Sequence, residues 1–222
     1  MKKNEMFFEQ NTLVIEKTVR RIYMKIYDIS QEVFSCEVFP GDEPPQKEEV
    51  MRMSEGALYN LTSLHMCAHN GTHVDAPFHF IADGATIEQM PLDKVIGPAF
   101  VAAADGEVTE SLAKEIIKRA KMANQEAARK LLLKGRGIIT VEAAKVFVDA
   151  GIDLIGVELQ SVGPVDAPMA VHKVLLGAEV VLLEGIRLGE VEEGVYFLSA
   201  APLSLGGSDG APCRAVLLDL QA

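Results

Sequence analysis

Tryptophan is absent from this 222-residue chain, and cysteine is scarce. The three cysteines, Cys36, Cys67 and Cys213, form no C-x-x-C pair. Their odd number in a chain this long argues against the disulfide scaffold of a small secreted domain. Positive charge is also short. Lys and Arg number 21 against 32 Asp and Glu, for a net charge of −11. That balance excludes nonspecific nucleic-acid binding, which needs a basic surface. No apolar run reaches the roughly 20 residues required to cross a membrane as a helix. Near the N-terminus, Met6-Phe7-Phe8 is too short for a signal-peptide core, and charges follow soon after. A cytoplasmic protein acting on a small molecule is the default expectation. There is no internal repeat and no low-complexity tract.

Hydrophobic residues make up 49% of the chain, enough for a substantial core and a globular fold. Residues 1–23 are charge-mixed and read as an N-terminal extension, either an added helix or an upstream start. Met24–Ser30 reads as the first strand of a single domain over residues 24–222. Pro40–Pro45 is a loop by its punctuating residues, and Asp83-Gly84 is a turn. Ala99–Ala103 reads as an apolar strand. From Thr109 to about Lys134 the pattern is helical, with Leu112, Ile116, Ile117 and Ala120 at helical spacing. Thr140 suits the cap of a next helix ending near Gly151, with Glu142 in its first turn. Asp153–Glu158 and Val180–Leu183 read as buried strands, with a short helix at His172–Leu176 between them. Two more strands follow between Val195 and Leu220, separated by a loop at Gly206–Pro212. The first half is strand-rich, so an α/β fold with a mixed sheet, or two stacked sheets with helices on one face, fits better than a doubly wound one.

The chemistry concentrates in eleven residues, His69-Asn70-Gly71-Thr72-His73-Val74-Asp75-Ala76-Pro77-Phe78-His79. In an extended strand alternate side chains share a face, so His69, Gly71, His73 and Asp75 would line one side. Gly71 would leave room for the imidazoles and carboxylate to converge. Pro77 cannot donate to a ladder, so the strand should end near it. A lone histidine beside an apolar segment is usually a hydrogen-bonded core residue. Three histidines and an aspartate at this spacing are harder to bury without a partner. Imidazole with carboxylate suits zinc, manganese or iron. His65 extends the spacing by four, as on a helix face, but Asn70-Gly71 and Pro77 are poor helix residues. Cys67 lies close enough to face the site, or is a small buried hydrophobe. Downstream, His172 and Glu184 are further candidates. Glu184 ends an apolar strand, where a carboxylate needs a partner: a shared metal, or a salt bridge to Arg187.

The segment His69–His79 resembles the H-x-G-T-H-x-D-x-P-x-H motif of the putative cyclase family, which includes bacterial kynurenine formamidase and isatin hydrolase. Met24–Ser30, Leu154–Glu158 with Ser161, Val171–Leu176, Glu184 and Asp209–Arg214 add similarity in the same order. The resemblance implies a three-layer β/β/α swivelling-domain-like fold and a homodimer or homotetramer. It implies one or two zinc or manganese ions held by His69, His73, Asp75, His172 and Glu184, with Asp75 able to bridge them and His79 as the catalytic histidine. It implies hydrolysis of a carbon–nitrogen bond in a small amide or cyclic amide. A metal would acidify water and polarise the carbonyl, and a histidine would move the proton to the leaving nitrogen. A lactone or ester hydrolase on the same site is one alternative. A metal-binding protein without turnover is another, although such a protein has no need for His79.

Two departures bear on the substrate. Gly135–Ile139 is short where kynurenine formamidases carry a longer segment, and Glu158 stands where many members have Asp. A short link between two helices cannot cover an aryl group. It therefore predicts a smaller or less aromatic amide than N-formylkynurenine, unless another segment such as Phe34–Phe39 or a partner subunit supplies the aromatic contact.

Overall fold

Three consecutive leucines, Leu131, Leu132 and Leu133, lie at the centre of the fold and are fully buried. Strand geometry sends successive side chains to opposite faces, so a continuous apolar run implies burial on both. Leu131 and Leu133 enter one core beneath the helices, while Leu132 enters a second core on the opposite face.

The computed structural model describes residues 6–9, 12–17 and 20–220. In chain order the strands and helices are β1 (Met6–Glu9), β2 (Thr12–Lys17), β3 (Arg20–Asp28), β4 (Gln46–Met51), β5 (Leu61–His65), β6 (His73–Asp75), β7 (Ile96–Ala103), β8 (Glu107–Val108), α1 (Glu110–Ala123), β9 (Lys130–Lys134), β10 (Ile138–Ile139), α2 (Val141–Asp149), β11 (Leu154–Val157), α3 (Met169–Gly177), β12 (Val181–Glu184), β13 (Gly194–Ser199), β14 (Gly210–Pro212) and β15 (Val216–Asp219). Met6–Glu9 and Thr12–Lys17 are thus strands, not an added helix, and they extend the sheet from β3.

Eleven strands form one mixed sheet in the order β1-β2-β3-β15-β13-β7-β9-β11-β12-β6-β14. Strands β7, β9, β11 and β12 are mutually parallel, and α1, α2 and α3 make the crossovers between them. The remaining pairs are antiparallel. The sheet must curl. Strands β14 and β15 are seven places apart in the order, which in a flat sheet is about 34 Å at ~4.8 Å per strand. Only Cys213, Arg214 and Ala215 join them, a link of at most about 14 Å. Curling also brings the end of β3 across the opening: Ile29 N donates to Ala215 O (3.0 Å), and Ile29 O accepts from Arg187 N (2.8 Å). One curled sheet therefore replaces the two stacked sheets that the pattern allowed. Its concave side holds Ile29, Val74, Leu132, Leu183, Leu198 and Leu217.

The helices lie on the other face. In α1, Ala113, Ile116, Ile117 and Ala120 are buried, the i, i+3, i+4, i+7 stripe of an amphipathic helix. Thr109 and Thr140 cap α1 and α2, accepting from Leu112 N and Ala143 N. The helical pattern does not run to Lys134. Asn124 ends it, because its side-chain oxygen takes the N–H groups of Glu126 (2.9 Å) and Ala127 (3.0 Å) and starts a new turn. The leucines beyond it fit a two-residue as well as a helical period, and tertiary burial decides for the strand. The link at Gly135–Ile139 consequently joins a strand to α2, not two helices, and contains β10, which pairs with β8. The Gly206–Pro212 loop likewise ends in a strand, β14, on the outer side of β6. Among the described residues, no helix is long and apolar enough to cross a membrane.

Leu132→Ala should destabilise the protein by about 2–5 kcal/mol in urea denaturation, the cost of a cavity in a close-packed interior. Met122→Ala, at a residue 77% exposed, should change it by less than about 0.5 kcal/mol.

Candidate active site

The site forms where the end of β12 meets the start of β6 beneath α3. The two strands pair antiparallel, with Glu184 opposite His73 and Leu182 opposite Asp75. Val74 and Leu183 point into the concave core. Alternation therefore turns His73, Asp75 and Glu184 to the helix face. Opposite them α3 buries Val171, His172, Leu175 and Leu176. Residues distant in sequence thus present two imidazoles and two carboxylates to one point.

His73 Nε2 lies 3.4 Å from Asp75 Oδ1 and 3.5 Å from Glu184 Oε2. His172 Nε2 lies 3.4 Å from Glu184 Oε1 and 3.8 Å from Asp75 Oδ2. All four residues are buried. Backbone carbonyls fix both imidazoles, since His73 Nδ1 donates to Gly71 O (3.0 Å) and His172 Nδ1 donates to Pro168 O (2.8 Å). The carbonyls can only accept, so each Nδ1 carries the hydrogen, and each Nε2 faces inward as the nitrogen that could ligate a cation once its own proton is lost. Glu184 Oε1 is steadied by Val162 N at 2.8 Å. Asp75 Oδ2 is buried without a hydrogen-bond partner among the described residues. Such an orphaned carboxylate oxygen is expensive to bury, and it fits a cation ligand.

His69 arrives differently from the pattern. Residues 69–72 form a turn, and only His73–Asp75 is strand. Gly71 sits at φ +68°, a left-handed conformation that favours glycine. Its missing side chain would point at Cys36, not at the imidazoles. What it permits is the turn that swings His69 back, so that His69 Nδ1 is 2.9 Å from Asp75 Oδ1. Gly185, at φ +70°, permits the matching approach of the β12 end, where a Cβ would lie 2.3 Å from Gly71 O. Three donor groups compact enough to hold a metal ion result among the described residues: His69–His73–Asp75 and Asp75–His172–Glu184, which share Asp75, and His69–His79–Asp209 beside them.

His79 follows β6 on the turn Pro77–His79 and stands at the cleft wall. It meets Asp209, a residue the pattern left in a loop. Asp209 Oδ2 is 2.9 Å from both His79 Nδ1 and His69 Nε2. No periodicity marks Asp209; the only local sign is its position in the family-like segment beginning Asp209-Gly210. His65 is exposed beside Glu43 and stays outside the cluster. Cys67 Sγ lies 3.8 Å from Asp42 Oδ2 and joins no donor group. Arg187 does not pair with Glu184. Its guanidinium reaches Gln31 Oε1, the carbonyls of Glu158 and Ile186, and Glu37.

The cleft has a volume of about 210 Å³. Phe39 and Phe80 supply its aromatic walls, with the Phe80 ring 4.5 Å from that of His172. Phe39 belongs to the segment anticipated as a substitute aromatic supplier. Gly135–Ile139 does not line the cleft, so its shortness no longer argues against an aryl substrate. Glu158 is also removed from substrate selection. Its carboxylate accepts from Gly135 N (2.6 Å) and Leu188 N (2.8 Å) and ties the backbone.

Burial pushes the His69 and His73 imidazoles toward the neutral form, but their carboxylate neighbours outweigh it. His69, between Asp209 and Asp75, and His73, between Asp75 and Glu184, are both raised to about 10. His172 is raised for the same reason by Glu184 and Asp75. Burial favours a neutral Asp75, yet His69 and His73 hold its carboxyl well below the usual range. Asp209 is held low by hydrogen bonds from His69 and His79.

Residues 24–164 match the family model described as putative cyclase. The chain is 34% identical over 211 residues to the kynurenine formamidase of Salinibacter ruber, covering 88% of this chain and 98% of that one. It is 33% identical over 207 residues to the kynurenine formamidase of Bacillus anthracis, covering 87% and 97%. A solved structure of a potential metal-dependent hydrolase with cyclase activity aligns with a TM-score of 0.75 at 27% identity, covering 90% of this chain and all of that one. Isatin hydrolase A from Labrenzia aggregata shares the fold, with a TM-score of 0.75 at 20% identity over 89% and 94% of the two chains.

In metal-free protein, His69 and His73 bind their protons more tightly when folded. Their contribution to stability is then complete below about pH 6.5 and disappears as pH rises through about 10. The Tm of chelator-treated protein should fall across that interval, and Asp75→Asn should flatten the slope. A rising Tm in wild type would contradict the ionic arrangement.

Proposed function

The chain belongs to the putative cyclase family and is an arylformamidase-like hydrolase, and on that premise we propose that it hydrolyses the carbon–nitrogen bond of a small amide, with an N-formylated aromatic amine as the candidate substrate. The observation that carries the reading is Asp75, a buried carboxylate shared by two donor groups, with one oxygen left without a hydrogen-bond partner among the described residues. We assign the catalytic domain to residues 24–222. Its curled sheet with one helix layer is consistent with a three-layer β/β/α swivelling-domain-like fold.

His69, His73, Asp75, His172 and Glu184 would hold one or two divalent ions, and this imidazole–carboxylate set suits zinc or manganese. A divalent ion there supplies a Lewis acid that lowers the pKa of water and polarises a carbonyl. The protein's own residues do the rest. Phe39 and Phe80 flank the cleft and offer apolar surface to an aryl group. His79 gives its Nδ1 hydrogen to Asp209, which leaves Nε2 as the basic nitrogen. That nitrogen takes a proton from the attacking water and returns it to the departing amide nitrogen, which leaves poorly unless protonated.

The family resemblance also suggests a homodimer or homotetramer, and the hairpin of β4 and β5 supports it. Every residue of both strands is exposed, including Val50, Leu61 and Leu64, and Leu58 and Tyr59 stand out beside them. A two-stranded hairpin is marginal alone, and apolar side chains gathered on a surface mark an interface. Sedimentation velocity should show a species of two or four chains, and Leu64→Glu should shift it toward the monomer. A monomeric wild type at micromolar concentration would refute the assembly.

His79→Ala should retain its divalent ion by metal analysis while kcat falls by about 10²- to 10⁴-fold, the usual value of a general base. Glu184→Gln should lower metal content, whereas Arg187→Ala should not. In a panel of N-formylkynurenine, a small formamide, a lactone and an ester, a kcat/KM for N-formylkynurenine of at least about 10⁵ M⁻¹s⁻¹ is expected. Cleavage of only the lactone or ester would overturn the amide assignment.

A further inference from the structure

Asp209 belongs to neither donor group that contains Asp75, yet it forms a third compact group with His69 and His79. It lies just before β14, whose Gly210 pairs with Asp75 across the strand register. Its backbone is pinned, since Asp209 O accepts from Ala76 N at 2.9 Å. The neighbouring Ser208 O accepts from Ile87 N at 2.9 Å. The carboxylate is therefore delivered to a set position by sheet pairing and is not a free surface group. One of its oxygens, Oδ2, meets two imidazoles from different turns, His69 Nε2 and His79 Nδ1, each at 2.9 Å. The two rings lie 4.1 Å apart at 32°.

An ionised carboxylate can only accept, so both of these nitrogens carry hydrogen. The other nitrogen of each ring is then the one with a lone pair in the neutral form. For His69 that is Nδ1; it meets a second carboxylate, Asp75 Oδ1 at 2.9 Å, so it too carries hydrogen until a cation bound in the His69–His73–Asp75 donor group displaces it. For His79 it is Nε2, which has no hydrogen-bond partner among the described residues. Without the carboxylate each neutral ring could place its hydrogen on either nitrogen. His69 with hydrogen on Nδ1 could not ligate through that atom, and His79 with hydrogen on Nε2 could not accept a proton there.

We propose that Asp209 is a positioning residue that sets the tautomers of His69 and His79 together, so that a single carboxylate oxygen links metal affinity to proton transfer. This rests on the reading of His69 as a ligand and His79 as the base. Carboxylate partners of metal-bound histidines typically change affinity by about 10- to 100-fold when removed.

The test uses the full chain, ¹⁵N-labelled, with long-range ¹H–¹⁵N spectra of the histidine rings and zinc affinity measured by chelator competition. Wild-type His79 is expected with hydrogen on Nδ1, and zinc-bound His69 with hydrogen on Nε2. In Asp209→Asn, zinc should bind about 10- to 100-fold more weakly, and the His79 ring should populate the Nε2–H form. A wild-type His79 found with its hydrogen on Nε2 overturns the proposal whether or not any variant folds. A folded Asp209→Asn protein with wild-type zinc affinity and an unchanged His79 tautomer also overturns it, and leaves the metal reading standing. A wild type that binds no zinc overturns the metal reading itself, and with it the link to His69.

Discussion

Two carboxylates, Asp75 on β6 and Glu184 on β12, are buried close together on adjacent strands, and the rest of the site exists to make that tolerable. Unpaired, such groups would be protonated or would unfold the region, because burying an isolated charge costs far more than any single contact returns. Here three imidazoles surround them. Two of those imidazoles are turned by backbone carbonyls so that a nitrogen, not a carbon, faces the carboxylates. The arrangement is balanced when protons or a cation sit among the oxygens, and unbalanced when neither does. Metal binding and histidine protonation are therefore alternative ways of satisfying one electrostatic constraint.

The fold meets this constraint by placing the polar cluster at the rim of two dry cores. The parallel strands β7, β9, β11 and β12 are buried on both faces, by α1 to α3 on one side and by the curled remainder of the sheet on the other. That rigid centre holds β12, and through it β6, in register. The candidate site side chains project from the strands β6 and β12, from the turns at residues 69–72 and 77–79, from α3 and, for Asp209, from the loop before β14. Glycines at 71 and 185 let the two backbone segments pass at contact distance. A wider backbone separation there would move His69 or Glu184 away from Asp75.

Much of this was legible in the linear chain because it depends on local rules. The α1 stripe, the Thr140 cap and the strands β11 and β12 follow from periodicity and capping chemistry. The spacing of His73 and Asp75 announced a shared face, and the strand bears that out. Where local rules were degenerate they misled. Leu131–Leu133 satisfied the helical and the extended period equally, and only burial on both sides selected a strand. The alternation extended back to His69 failed because Gly71 turns the chain, although the histidine still reaches the same aspartate. Glu158 and Gly135–Ile139 looked like substrate determinants, yet they bind each other by a backbone hydrogen bond away from the cleft.

The sequence by itself determined which chemical groups were available and the short-range geometry that presents them: imidazoles and a carboxylate in one eleven-residue segment, and a histidine and glutamate on a later helix and strand. Only the tertiary structure decided which of those groups meet. Asp209 stands 140 residues from His69 and 130 from His79, yet one of its oxygens touches both. No periodicity could report that contact, because it arises from the curl that returns the chain's last strands to the edge of β6. The choice of Gln31 and Glu37 over Glu184 as side-chain partners of Arg187 was settled in the same way, by where the sheet brings its ends together.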